Sequence, residues 1–330
     1  VGKYLNGYRG EEVYVPPGWD RWFAYMTAPT YYNYSIYDDR RGRLTYTRSP
    51  SDYSTDVIRE KAAAFIRNTD AGRPLFLIVT PFAPHGTFIP APRHEGDLAT
   101  APVSLGPAVN EADVSDKPGY IRGLGLVDPS TVRTRTRRQW ETLLAVDDLV
   151  GEISAALRET GRAGNTLVIF TSDNGLSNRE HRWGQKYVPY DESIRVPLIM
   201  RLPGEIPMGS VSRTLVSNVD LAPTIADFAG VSLSADGVSL RPVLTDGALS
   251  ARGAVLLEHV EAGEAVPTYC GVRARSFMFV RYATGEEELY DLARDPHQLR
   301  NVVSSRPTKA RELRNLTRSL CQPVPPGFSW

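Results

Sequence analysis

Asp173 and Asn174 stand side by side directly after an apolar run. They offer one carboxylate and one amide carbonyl, the hard oxygen ligands that Ca²⁺ or Mg²⁺ takes. Ser-Asp-Asn-Gly is also ordinary turn chemistry, so the pair needs company to mean more. Lys186 lies twelve residues on, in Gly184-Gln185-Lys186-Tyr187, ahead of the next apolar run. His85, in Pro81-Phe82-Ala83-Pro84-His85-Gly86, follows another such run. A proton donor, a cation and a metal-ligand pair would thus converge on one rim past the strand ends. Lysine is a compact, movable point charge, where arginine would impose a planar fork.

The elements that must position these residues read as an α/β scaffold. Residues 75–80 and 167–170 are short, continuous apolar runs, as expected of strands covered on both faces. Each follows a helical pattern. Residues 56–68 carry Val57, Ile58, Ala62, Phe65 and Ile66 on one face, and residues 131–160 repeat apolar positions at three and four up to a closing Gly161. The alternation predicts a large mixed sheet covered by helices on both faces, with the chemistry past the carboxyl ends of its strands. Residues 196–202 predict another strand and 218–230 another helix. The first fifty residues, rich in Tyr, Trp, Gly and Pro, read as long loops, and residues 81–130 as a functional loop. Past residue 250 come short alternating runs at 254–259, 270–282 and 288–292, then a helical pattern at 308–320. These predict a catalytic domain over 1–250 and a small α+β subdomain over 251–330, a short antiparallel sheet plus a terminal helix.

Lys plus Arg equals Asp plus Glu, at 38 each, so no global basic field would hold nucleic acid or an anionic membrane. No apolar run approaches the roughly 20 residues of a transmembrane segment. Two cysteines, Cys270 and Cys321, exclude a disulfide scaffold and leave two readings open, one bridge or two buried thiols.

Several segments together resemble the sulfatases of the alkaline-phosphatase superfamily, nearest to the N-acetylglucosamine-6-sulfatase and arylsulfatase branch. They are Gly2-Lys3-Tyr4-Leu5-Asn6-Gly7-Tyr8, Pro16-Pro17-Gly18-Trp19-Asp20, Ala83-Pro84-His85 and Ser172-Asp173-Asn174-Gly175. Lys186, the run Pro189-Tyr190-Asp191-Glu192-Ser193-Ile194-Arg195-Val196-Pro197, and Glu288-Leu289-Tyr290-Asp291-Leu292 with Asp295-Pro296 complete the set. The resemblance implies that Lys3 contacts the nucleophile and the sulfate, that His85 protonates the leaving oxygen, and that Lys186 is a second sulfate-binding lysine. It implies that Asp173 and Asn174 are half of a Ca²⁺ site. His181, in Glu180-His181-Arg182-Trp183, serves either as a substrate contact or as packing.

The family nucleophile is a formylglycine, installed by a formylglycine-generating enzyme in a Cys-x-Pro-x-Arg type motif, and nothing in this chain matches it. Cys270 is followed by Gly-Val-Arg and Cys321 by Gln-Pro-Val. Asp38-Asp39, the tempting substitute for the family's paired aspartates, stands after Gly-Lys in the wrong order. Leu5 replaces a histidine that many members carry. These departures predict that the nucleophile and the remaining metal ligands precede Val1. They also predict that these residues alone bind metal weakly, turn over little, expose apolar surface and dissolve poorly. The implied substrate is a sulfated carbohydrate, 6-sulfated N-acetylglucosamine in glycosaminoglycans, with Trp19, Trp22 and Tyr31-Tyr32 to stack on sugar rings. Aryl sulfates remain open. The implied location is secreted, periplasmic or lysosomal. Two competing readings are a phosphoester or phosphonate hydrolase of the same superfamily and a chain that binds sulfated glycans without cleaving them.

Overall fold

Within the tyrosine-rich opening segment, residues 23–46 fold as sheet, which corrects the expectation of long loops there. Strands β1 (Phe23–Tyr25), β2 (Tyr34–Asp38) and β3 (Gly42–Tyr46) pair antiparallel in the order β1-β2-β3. The runs are too short to show a period, yet aromatic and branched residues suit a pleated, half-buried surface. Tyr34 stacks on Tyr46, directly opposite in register, with ring centroids 4.8 Å apart. The β2–β3 turn places Asp38 in the interior, where Lys61, Arg21 and the Arg40 backbone N–H donate to it. Asp38 is thus a structural carboxylate.

The computed structural model describes residues 1–8, 14–247, 252–263 and 265–330. They form two units, 1–104 with 130–165, and 105–129 with 166–330. In the first unit, the helix Ser54–Asn68 presents Val57 and Ile58 to Phe23, Tyr25 and Ile36. The long helix Pro129–Glu159 adds Leu149 to that cluster, and Ala145 and Val146 to a second one around Tyr31 and Tyr53. Arg93 ties both helices together, donating to Asp56 at 2.6 Å and to Asp148 at 2.9 Å.

Residues 75–80 do not form the expected strand. Their one ladder contact is an isolated parallel bridge between Thr80 and Gly2. Val79 packs inward, while Phe76 is 55% and Ile78 44% exposed, so one face of the run is covered and the other open. A continuous apolar run does not distinguish one-sided from two-sided burial.

In the second unit, β4 (Val168–Thr171) and β5 (Leu198–Arg201) make a two-stranded antiparallel sheet, with Phe170 opposite Ile199 and both side chains exposed. In place of one large mixed sheet, the described residues therefore show several small ones. The C-terminal expectation agrees with the structure. Strands β6 (Ala254–His259), β7 (Tyr269–Ala274), β8 (Phe277–Tyr282) and β9 (Glu287–Asp291) pair antiparallel in sequence order. The helix Pro307–Leu320 packs Ala310 and Leu313 onto Val272, Phe279 and Leu289. A Cys270–Cys321 disulfide links β7 to the end of that helix, which decides between the two readings of the cysteines. The expected domain boundary at 250/251 lies outside the described residues. No helix among the described residues is long and apolar enough to cross a membrane.

Candidate functional site

In the first unit, a glycine with room for nothing else holds Lys3. Gly2 sits at φ +115°, and a Cβ there would stand 2.2 Å from the Thr80 carbonyl oxygen. Its N–H donates to the Phe23 carbonyl at 2.8 Å, and the Lys3 N–H to the Thr80 carbonyl at 2.9 Å. Gly2 is thereby clamped between β1 and Thr80, which fixes the backbone on which Lys3 follows. His85 is exposed, stacked on Phe82 with centroids 4.7 Å apart, and its backbone carbonyl accepts from the buried Tyr31 hydroxyl at 2.8 Å. Its Nδ1 lies 2.9 Å from the Gly86 carbonyl. A carbonyl only accepts, so Nδ1 carries the proton, and Nε2 bears one as well only when the ring is a cation.

Tyr31 and Trp22 are buried, at 0% and 7% exposure, which removes them as sugar-stacking platforms. Trp19 stacks on Phe76 at 5.6 Å. Trp19 and Tyr32 are half-buried, so of the four rings two are core.

In the second unit, Asp173 and Asn174 follow β4 after the single residue Ser172. Gly175 packs against the turn Asp191–Ile194: its N–H donates to the Ser193 carbonyl at 2.9 Å, and a Cβ would stand 2.2 Å from the Glu192 carbonyl oxygen. The Asn174 amide nitrogen donates to the Gly175 carbonyl at 2.8 Å, which turns Oδ1 the other way, towards Lys186 Nζ at 3.3 Å. Trp183 Nε1 donates to the Lys186 carbonyl at 2.9 Å and anchors the lysine's backbone. Asp173 is exposed and Lys186 half-buried.

His181 lies inside the loop that joins the two, with no exposed surface. Nδ1 meets Glu111 Oε2 at 2.7 Å, Nε2 is 4.0 Å from Glu192 Oε2, and the ring lies 4.0 Å from that of Tyr190. Glu111 also pairs with the buried Lys117 at 3.1 Å, and Lys117 donates to the Leu299 carbonyl at 2.8 Å. Tyr190, Tyr282 and Tyr290 all donate to Glu288, whose carboxyl is pushed up by burial against the pull of the three hydroxyls. A buried polar network of His181, Glu111 and Lys117, touching the Glu288–tyrosine cluster where the His181 and Tyr190 rings meet, thus underlies the Asn174–Lys186 loop. Its members Glu111 and Lys117 were invisible in sequence, lying in the aperiodic 81–130 stretch with only their types to mark them.

The sulfatase family profile matches residues 1–231. This chain belongs to the sulfatase family. A profile described as the N-sulphoglucosamine sulphohydrolase C-terminal region matches residues 179–322. The sulfatase chain is 30% identical to the N-acetylglucosamine-6-sulfatase of Bos taurus over 92% of its own length and 62% of that protein's. It is 28% identical to the N-acetylglucosamine-6-O-sulfatase of Bacteroides thetaiotaomicron, covering 87% of itself and 64% of the other. The chain spans less than two thirds of the length of these curated relatives. A protein solved in complex with its substrate D-glucosamine-2-N,6-O-disulfate superposes with a TM-score of 0.82 at 26% identity, over 98% of this chain and 78% of that one. The fold is therefore sulfatase-like.

Asp173 and Asn174 fit a Ca²⁺ ion by donor chemistry, supplying two of the roughly six to eight oxygens it takes. Among the described residues, the one group of three His, Cys, Asp or Glu close enough to share an ion is Glu258, Cys270 and Cys321, whose cysteines are bridged.

Proposed function

We propose that this protein hydrolyses sulfate esters of carbohydrates, with Lys3, His85 and Lys186 as catalytic residues and Asp173 and Asn174 as ligands of one Ca²⁺. The observation that carries the reading is the 3.3 Å pairing of Lys186 with Asn174 in a member of the sulfatase family. It joins a movable cation to a hard-oxygen donor on a loop that both Gly175 and a buried network hold still. In this reading Lys3 and Lys186 balance the charge of the bound sulfate, and more of it as the S–O bond breaks. His85, cationic with Nδ1 occupied by Gly86, donates its Nε2 proton to the leaving oxygen. A bound Ca²⁺ supplies further electrostatic stabilisation. The nucleophile is assigned to none of the 330 residues, since the two cysteines bridge each other. The finer proposal for substrate, 6-sulfated N-acetylglucosamine within glycosaminoglycans, is supported by the names that the relatives carry.

The test is an assay of the full-length protein, co-expressed with a formylglycine-generating enzyme, on 4-methylumbelliferyl sulfate with Ca²⁺ or with EDTA. Lys186→Ala should lower kcat/KM by about 100-fold or more, in line with loss of a transition-state contact, and EDTA should suppress turnover. Undiminished activity in either case rejects the assignment. Faster cleavage of a phosphonate monoester than of any sulfate would replace the sulfatase reading with the phosphonate one.

A further inference from the structure

A cavity of about 390 Å³ opens in the first unit between the segment following His85 and the long helix. Thr87 and Phe88 form one wall, and Thr131, Thr134, Arg135 and Arg138 the other. Those four helix positions follow the spacing i, i+3, i+4, i+7, which on most helices is an apolar stripe turned to the core. Here it bears two hydroxyls and two guanidinium groups. The Arg135 guanidinium lies 5.3 Å above the Phe88 ring, so its plane is held by a buried aromatic face. Arg138 is paired only at the surface, 3.2 Å from Glu95, with side chains 47% and 64% exposed. Such a pair contributes little and yields readily to a competing anion. Arg137, on another face, donates instead to the Ala101 carbonyl at 2.8 Å.

The chemistry of this wall is that of an anion receptor with hydroxyls beside it. Two guanidinium groups bind a carboxylate or sulfate through parallel N–H donors, and threonine hydroxyls exchange hydrogen bonds with sugar hydroxyls. The volume is that of a small-ligand site. Thr87 is two residues from His85, so their Cα atoms are at most about 7.6 Å apart. We infer that this cavity is a specificity subsite for a second anionic sugar unit, adjoining the one whose sulfate is cleaved, with its carboxylate or sulfate held between Arg135 and Arg138. The inference rests on the proposed function in taking His85 as the neighbour of the reacting ester.

The experiment is calorimetric titration of the full-length protein with a heparin-derived tetrasaccharide and, separately, with inorganic sulfate. The Arg135→Ala/Arg138→Ala pair should weaken tetrasaccharide binding at least tenfold. Arg318→Ala, which removes an exposed charge elsewhere, should not. Carboxyl-reduced and selectively desulfated tetrasaccharides tell which anion is read: the one whose removal abolishes the difference between wild type and variant is the ligand. Equal affinity of the double variant, an equal loss in Arg318→Ala, or insensitivity to removal of both anions overturns the subsite. Inorganic sulfate can enter either site, so its binding is compared between wild type, Lys186→Ala and the double variant. Sulfate binding that Lys186→Ala leaves undiminished would count against the proposed function and leave the tetrasaccharide comparison intact.

Discussion

His181 illustrates how little a residue's type says about its use. A histidine between a metal-ligand pair and a lysine reads as a substrate contact as readily as packing, and its position inside the second unit, bonded to Glu111, places it behind the loop instead of on its surface. Truncating it would leave Glu111 with Lys117 as its one remaining charged partner in the interior. Loss of one member of a buried, charge-assisted network costs about 3 kcal/mol. His181→Ala should therefore lower the unfolding free energy by about that amount in urea denaturation, and a change below about 0.5 kcal/mol would show that the network does not hold the loop. Gly2 and Gly175 are legible in the opposite sense. The motif contains them, but only the backbone of Thr80 and Glu192 shows why no side chain fits.

Among the elements, the C-terminal sheet and its helix were the most legible. The partial alternation over 254–292 and the helical pattern over 308–320 are both local signals, and the structure has the four strands and the helix. Their connection was not local. The Cys270–Cys321 bridge closes a 51-residue loop. In the chain-entropy account such a closure is worth up to about 4 kcal/mol. Replacing both cysteines with alanine should lower the denaturation midpoint correspondingly, and a reducing agent should have the same effect on the wild type while leaving the variant unchanged.

For the molecule as a whole, charge balance matters more than net charge. Burial pushes the Asp38 carboxyl up, but hydrogen bonds from Lys61 and the Arg40 N–H outweigh it and hold the folded value below the usual 3.8. Glu287 is likewise held below 4.5, where Arg314 and Arg281 outweigh its burial. A carboxyl depressed in the folded state stabilises it above its unfolded pKa and loses that contribution as pH falls through the folded value. The contribution of these two carboxyls to thermal stability should thus be constant near neutrality and fall below about pH 4. Asp38→Asn should reduce the difference between the melting temperatures at pH 7 and pH 3. The sequence by itself determined the family, the helices, the C-terminal sheet and the residue types of the candidate site, because motif order and side-chain periodicity are properties of the chain. Only the tertiary structure decided that the apolar runs at 75–80 and 168–171 are open on one face, that Trp22, Tyr31 and His181 are interior, and that the cysteines are joined. It also decided that Arg135 and Arg138 face Phe88 across a cavity. Burial and pairing are relations between residues far apart in the chain, and no local pattern encodes which of two polar or aromatic faces will find a partner.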